Sequence, residues 1–318
     1  MPGLTNPALQ TIPLAKTYAA EVSGLDFSQP LSEDDFAYLR DAVYKYGVVV
    51  LRKTTLDDES ALALGRRFGE LDSVKAHRVA GRAMRIPNDE IFDVGNLDQN
   101  NQVVTDKSPE RVATANGNAL WHADGAFNPR RTGLSILRGV ELPPPGTGGH
   151  TEYLDTRAAW DDLPEDKKVQ VQGLVGCNTI FHNRKTANPD SPLFRNIDPM
   201  TQPTAKHKIA QLHEPSGRMA LYVQSYTHHI DGMSLEEGQA LLKYIFDHCK
   251  QDKYKFVHHW KDNNDVAIWD NTAVLHRATH GDYEGKYRRD MRRVSVFDTS
   301  STAYGENDPS TYWQQGLP

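Results

Sequence analysis

Trp121-His122-Ala123-Asp124 sets an imidazole and a carboxylate two residues apart. On an extended strand such residues share a face, so both side chains project toward one point. A neutral imidazole and a carboxylate suit a divalent ion. A second imidazole would complete a face of two histidines and one carboxylate, which leaves three positions open and is the ligand set of non-haem iron(II) oxygenases. Alone, an HxD pair is common on solvated surfaces, so the reading depends on a distal histidine. The run from Asp265 to His276 holds an apolar strand, a polar turn and a second apolar run ending in His276, which puts that imidazole on a buried strand pair. His258 and His259 are adjacent in mid-strand and point to opposite faces, and His280 lies in a loop rich in glycine and charge. These three are the weaker alternatives.

Downstream of His276 stand Arg288, Arg289, Arg292 and Arg293. By strand alternation Arg289 and Arg293 share one face and Arg288 and Arg292 the other. Four arginines beside a strand are commonly a solvated, charged edge. An inward-facing guanidinium is instead a seat for a carboxylate, because its planar fork matches two oxygens. Thr151, after Gly148-Gly149-His150, reads on its own as a turn residue.

Elements must hold these groups in place. Ser32-Glu33-Asp34-Asp35 starts a helix, with Phe36, Leu39 and Val43 at helical spacing and Gly47 ending it. Val48–Leu51 is a short buried-type strand, and a second helix spans about Asp57 to Phe68, with Leu62 and Gly65 on one side. From Ala76 to Asn118 the periodicity dissolves, and this stretch is expected to be a lid or binding loop. Strand patterns then dominate: Leu134–Leu137, Val175–Ile180, Met219–Val223, Tyr254–His258, Val266–Trp269 and Arg293–Phe297. Helices are expected near Arg157–Leu163 and from Ser234, where Leu241, Leu242 and Ile245 turn inward. With no repeats, low-complexity tract or linker, the expectation is one domain over residues 1–318, mainly β with flanking helices (α+β).

Composition narrows the classes. The chain has 318 residues, 38% hydrophobic and 25% charged, ordinary for a globular protein and enough to bury a core without staples. A net charge of −6 offers no general attraction to polyanions, so no nucleic-acid partner is expected. Cys177 and Cys249 form no CxxC pattern, which argues against a disulfide scaffold. No signal-peptide pattern and no long apolar run occurs, so no membrane partner is expected and the cytosol is the expected location.

Several stretches, in order, resemble the taurine dioxygenase / 2,4-dichlorophenoxyacetate dioxygenase family of Fe(II)/2-oxoglutarate-dependent dioxygenases. They are Gly117-Asn118-Ala119-Leu120-Trp121-His122-Ala123-Asp124, Gly148-Gly149-His150-Thr151, Trp269-Asp270-Asn271 with Leu275-His276-Arg277, and Arg288-Arg289-Asp290-Met291-Arg292-Arg293. The likeness runs from about Val48 to Phe297. It implies a double-stranded β-helix (jelly-roll) core, with His122, Asp124 and His276 as the catalytic iron ligands. It also implies Arg289 as the anchor of 2-oxoglutarate, Thr151 helping to hold the same carboxylate, and Arg293 as a second inward arginine near substrate and co-substrate. The cofactors implied are Fe(II), 2-oxoglutarate and O2. The reaction implied is hydroxylation of a C–H bond in a small anionic molecule, with release of succinate and CO2.

Asn118 matches a substrate-contacting position of the family, while Lys75 and His77 fall in the segment after Phe68-Gly69-Glu70-Leu71 that supplies pocket residues, and His229 lies near the mouth. The chain also departs from the family pattern. The loop from His276 to the arginines is longer, which leaves Arg288 open as the anchor. His150 replaces an acidic residue before the threonine, Pro143-Pro144-Pro145-Gly146-Thr147 lengthens the preceding turn, and Ala126 stands where aryloxyacetate enzymes carry serine. Diversion to desaturation or ring closure, a non-catalytic metal- or ligand-binding jelly roll, and a zinc hydrolase are the competing readings. The last is disfavoured because zinc sites usually prefer all-histidine or cysteine-containing sets. Family habit suggests a homodimer or larger assembly.

Overall fold

The computed structural model describes residues 8–77, 84–106 and 108–310, apart from the side chains of Ala76, His77 and Glu110. Ser32 caps the helix Glu33–Tyr46 by accepting from the Asp35 amide at 3.1 Å. Gly47, at φ 71°, ends that helix and releases the chain into strand Val48–Leu51. Asp57 and Ser60 form a reciprocal capping box for the helix Asp58–Phe68.

Both helices lie on one face of a seven-stranded sheet. Its order is Gln10–Pro13, Ala20–Ser23, Val48–Leu51, Val266–Asp270, Thr132–Glu141, Asp290–Phe297 and Phe92–Asp93, antiparallel except between the second and third strands. Alternation divides the side chains. Leu134, Ile136, Val266, Ile268, Val294 and Val296 pack against the helices. Leu137, Ala267, Trp269 and Met291 face the other way and meet Tyr153 and Val274 of a second sheet and Ala273 of the turn before it. By the same alternation Ser135, Arg293 and Ser295 lie on this inner face.

The second sheet runs Lys255–His258, Thr151–Asp155, Val274–Ala278. Val266–Asp270 and Val274–Ala278 therefore belong to different sheets, and the turn at Asn271–Ala273 carries the chain from one to the other rather than closing a hairpin. A third sheet runs Thr227–Ile230, Val175–Asn178, Ala205–Lys208, and a two-stranded ladder joins Ala210–His213 to Arg218–Leu221. The helix Leu235–Cys249 packs Leu241, Leu242 and Ile245 into a separate apolar cluster with Ile209, Leu221 and Ile230. The architecture is a mixed one of sheets and seven α-helices among the described residues.

Two expectations are corrected. The strand expected to reach Ile180 stops at Asn178, and Ile180–Ala187 is a helix started by Thr179. Within the stretch that shows no periodicity, Pro109–Asn118 is a ten-residue helix. It docks on Ile180–Ala187 through polar contacts: Asn116 Nδ2 donates to Asn188 Oδ1 at 2.8 Å, and Asn183 Nδ2 to the Gly117 carbonyl at 3.1 Å. No helix among the described residues is long and apolar enough to cross a membrane.

Candidate metal centre

His122 is not on a regular strand. It forms a single antiparallel bridge with His276, amide to carbonyl at 3.0 and 2.8 Å, and the chain then turns at Asp124 through Gly125 at φ 61°. The pairing His122–His276 brings the two rings to 4.3 Å between centroids. Asp124 completes the group, with Oδ1 3.9 Å from His122 Nε2 and Oδ2 3.6 Å from His276 Nε2. One donor atom from each residue lies within 4.8 Å of the others, and all three side chains are buried. Among the described residues no other histidine or acid joins the cluster. His258 is buried in its own strand, His259 packs on His150 at 4.2 Å, and His280 pairs with Glu284 at 2.7 Å.

Neighbouring groups fix each of these three side chains. His122 Nδ1 donates to the Leu120 carbonyl at 2.7 Å, which leaves the Nε2 lone pair for the cluster. The His276 ring is walled by Trp269 at 4.7 Å. The Asp124 amide donates to Asn271 Oδ1 at 3.0 Å, Ser135 Oγ donates to Asp124 Oδ2 at 2.7 Å, and Arg293 Nη1 donates to Oδ1 at 2.7 Å. Asn271 is itself pinned, accepting from Trp269 Nε1 at 3.0 Å and donating to Ser135 Oγ at 3.0 Å. The Trp269-Asp270-Asn271 motif thus orients the carboxylate of a residue far away in sequence.

Electrostatics suit metal binding. Burial lowers the pKa of His122, and burial with the facing His122 holds His276 well below its ordinary value, so both rings are neutral near pH 7. Burial alone would raise the Asp124 carboxyl, but Arg293 and the two imidazoles outweigh it and hold the group at about 2. An ionised carboxylate and two neutral imidazoles are the donor set an Fe(II) site of this type requires.

Arg289 is 8% exposed and lacks a carboxylate partner among the described residues. Its Nη2 donates to the Gly149 carbonyl at 3.3 Å, its Nη1 makes a long contact to Val94 at 3.5 Å, and among the described residues its Nε has no partner. Burial pushes its pKa down. Gly149, at φ 76°, lets the chain come close: a Cβ there would stand 3.1 Å from Arg289 Nε. A buried guanidinium with an unpartnered Nε and only long contacts from its other nitrogens fits the distal carboxylate of a dicarboxylic acid. Arg288 is spent on Glu141 at 2.8 Å and is half-exposed. Thr151 is buried and accepts from Trp260 Nε1 at 3.2 Å.

The remaining candidates are scattered. Asn118 ends the helix Pro109–Asn118 and accepts from Arg184 Nη2 at 3.4 Å. Lys75 is exposed on the short turn Val74–His77, and the His77 side chain lies outside the described residues. His229 sits across from Cys177, and the charges acting on its ring are Asp231 and Lys206, not the metal cluster. Ser135 and Arg184 were not singled out in the sequence. Ser135 reads there as one more position of an apolar strand, and Arg184 as one more surface cation.

The model of the taurine catabolism dioxygenase TauD, TfdA family matches residues 10–295. An alpha-ketoglutarate-dependent 2,4-dichlorophenoxyacetate dioxygenase from Burkholderia sp. (strain RASC) is 31% identical, over 88% of this chain and 91% of its own. An (S)-phenoxypropionate/alpha-ketoglutarate-dioxygenase from Sphingobium herbicidovorans is 26% identical, over 94% of this chain and 99% of its own. Among solved structures, AAD-2 in complex with Mn(II) and N-oxalylglycine superposes with a TM-score of 0.79 at 28% identity, over 92% of this chain and 98% of its own. Alpha-ketoglutarate is 2-oxoglutarate, a dicarboxylate whose distal carboxylate suits the buried guanidinium of Arg289. The chain belongs to the taurine catabolism dioxygenase TauD, TfdA family and is a 2-oxoglutarate-dependent dioxygenase.

Proposed function

We propose that this chain hydroxylates a C–H bond of a small anionic organic molecule, with Fe(II) held by His122, Asp124 and His276 in a jelly-roll core. The observation that carries the reading is the pairing of the buried cluster His122, Asp124 and His276 with the uncompensated guanidinium of Arg289. Bound there, Fe(II) would supply open positions for chelation of the keto acid and activation of O2, with succinate and CO2 as co-products.

The chain's own residues do the rest. The Arg289 guanidinium, with its unpartnered Nε, takes the distal carboxylate of 2-oxoglutarate. Because Thr151 Oγ1 already accepts from Trp260, its hydroxyl proton remains for the same carboxylate. Arg293, Ser135 and Asn271 keep Asp124 ionised and aimed, while Trp269 and Tyr226 wall the imidazoles from water. In this single-domain reading the segment before Asn118 serves as a cover. It supports that role that Asn96 Oδ1 accepts from the Arg289 amide at 2.8 Å, and that Phe92 lies 5.0 Å from the Arg293 guanidinium.

The test is to add 2-oxoglutarate to the Fe(II)-loaded protein without O2, follow the visible charge-transfer band of the chelate, then admit O2 with a panel of small acids and measure succinate. A band and acid-dependent succinate are expected. No band and no succinate with any acid would defeat the proposal.

A further inference from the structure

Among the described residues five arginines are buried: Arg131, Arg138, Arg157, Arg184 and Arg289. Three of them meet acids: Arg131 meets Asp298 at 2.8 Å, Arg157 meets Asp155 at 3.1 Å, and Arg138 meets Asp58. Arg289 is accounted for by the co-substrate. That leaves Arg184, 5% exposed and without a carboxylate partner among the described residues. A buried charge with no counter-charge is strongly disfavoured unless a ligand supplies one.

The guanidinium is held, but not neutralised. Nη1 donates to Asn183 Oδ1 at 2.6 Å, and Asn183 is fixed in turn through Nδ2 to the Gly117 carbonyl at 3.1 Å and to Ser225 Oγ at 2.7 Å. Nη2 makes a long contact to Asn118 Oδ1 at 3.4 Å, and among the described residues Nε has no hydrogen-bond partner. Nε and Nη2 form one edge of the guanidinium, so this edge is the unspent one. Gly117 gives it room, since a Cβ at that position would overlap Nη1. The charge lies near the metal cluster: it acts on the His122 ring, and the guanidinium hydrogen-bonds with the Tyr226 hydroxyl. The Tyr226 ring stands edge-on to His122 at 5.8 Å.

We propose that Arg184 seats the anionic head of the substrate, its Nε–Nη2 edge taking a carboxylate or sulfonate in two parallel hydrogen bonds. The Asn118 contact yields to that group, while Asn183 and Gly117 keep the fork in place. This rests on the dioxygenase reading, which requires the substrate to lie beside His122. A purely structural arginine tying the helices Pro109–Asn118 and Ile180–Ala187 together would use its neutral amide acceptors and leave the charge uncompensated.

The experiment uses the full chain loaded with Mn(II) and 2-oxoglutarate. Calorimetry compares phenoxyacetate with phenoxyacetamide and benzenesulfonate with benzenesulfonamide, in wild type, Arg184→Gln and Arg184→Lys. Wild type is expected to bind at least one acid more tightly than its neutral partner. In Arg184→Gln the Kd of that acid rises roughly 10- to 100-fold, as for loss of a charged hydrogen-bonding group, while the Kd values of the neutral partner and of 2-oxoglutarate stay put. Arg184→Lys keeps the charge without the fork and recovers part of the preference. It decides the matter should Arg184→Gln fail to fold, since unchanged acid affinity there would remove the fork from the argument. The proposal is overturned if wild type prefers neither acid, or if Arg184→Gln keeps the preference. Loss of 2-oxoglutarate binding by wild type itself would instead strike the dioxygenase reading.

Discussion

Arg293 Nη1 donates to Oδ1 of Asp124 at 2.7 Å, while Ser135 grips the other oxygen of the same carboxylate at 2.7 Å. A residue expected beside the co-substrate is thus also the counter-charge of a metal-ligand candidate. Asp124 is held at about 2, below the roughly 3.9 of an unfolded aspartate. Its contribution to stability is therefore present above about pH 4 and lost as pH falls toward 2. In Arg293→Met, burial acts without its largest opponent and the carboxyl moves up. Protons should then compete with metal at milder acidity. Mn(II) titrations between about pH 5 and 7.5 should show the variant losing affinity more steeply on the acid side, by about tenfold for each pH unit below its raised carboxyl pKa. Parallel profiles would mean that Arg293 does not hold the ligand ionised.

Arg288 and Arg289 are neighbours in sequence with opposite surroundings, one paired with Glu141 at the surface and one buried without an acid. Arg289→Met should raise the Kd of 2-oxoglutarate by at least about 30-fold, since a desolvated charge pair loses roughly 2–5 kcal/mol on truncation. Arg288→Met should leave it within about twofold, as expected of an exposed pair. Equilibrium titration of the metal-loaded protein reads both. The reverse order would move the anchor to Arg288.

His276 is the distal candidate that shares the buried cluster. His276→Ala should weaken Mn(II) binding by more than about 100-fold, beyond the 10- to 100-fold typical of outer-shell changes, and abolish succinate formation. His280→Ala, which removes an exposed partner of Glu284, should alter neither. Retained metal affinity in His276→Ala would remove His276 from the ligand set.

The parts of this molecule legible in its sequence are those that use apolar periodicity or a short ligand spacing. The capped helix Glu33–Tyr46 carries Phe36, Leu39 and Val43 on one stripe, and the strand Val266–Asp270 is an unbroken buried run, so both could be read directly. The helices Pro109–Asn118 and Ile180–Ala187 could not. They dock through Asn116, Asn183 and Asn188, and the second buries Asn183 and Arg184 beside Ile180, so no apolar stripe marks either. The unpaired burial of Arg184 is invisible for the same reason, because it depends on which carboxylates are absent in space. Likewise the crossing at Asn271–Ala273 looks like a hairpin turn until the two flanking strands are seen in different sheets. Asn271 then becomes intelligible as the residue that positions both Asp124 and Ser135.

His258 offers a test of the fold apart from the metal. It is fully buried in the strand Lys255–His258, and among the described residues neither ring nitrogen has a hydrogen-bond partner. Burial, with Arg52 nearby, pushes its pKa down to about 3. The unfolded chain, with a histidine near 6.5, takes up a proton that the folded state refuses. Stability contributed by the neutral ring is accordingly present above about pH 6.5 and lost as pH falls toward 3. In the metal-free protein, His258→Phe should cut the loss of unfolding free energy between about pH 7 and 5 by about 2 kcal/mol. Near pH 7 the substitution should be close to neutral, because it removes two unsatisfied polar atoms from the interior. Denaturant titrations at the two pH values give the difference directly. An unchanged pH dependence in the variant would assign the proton uptake to other buried rings, of which His207, held at about 3 by burial and by Arg131, is the first to substitute.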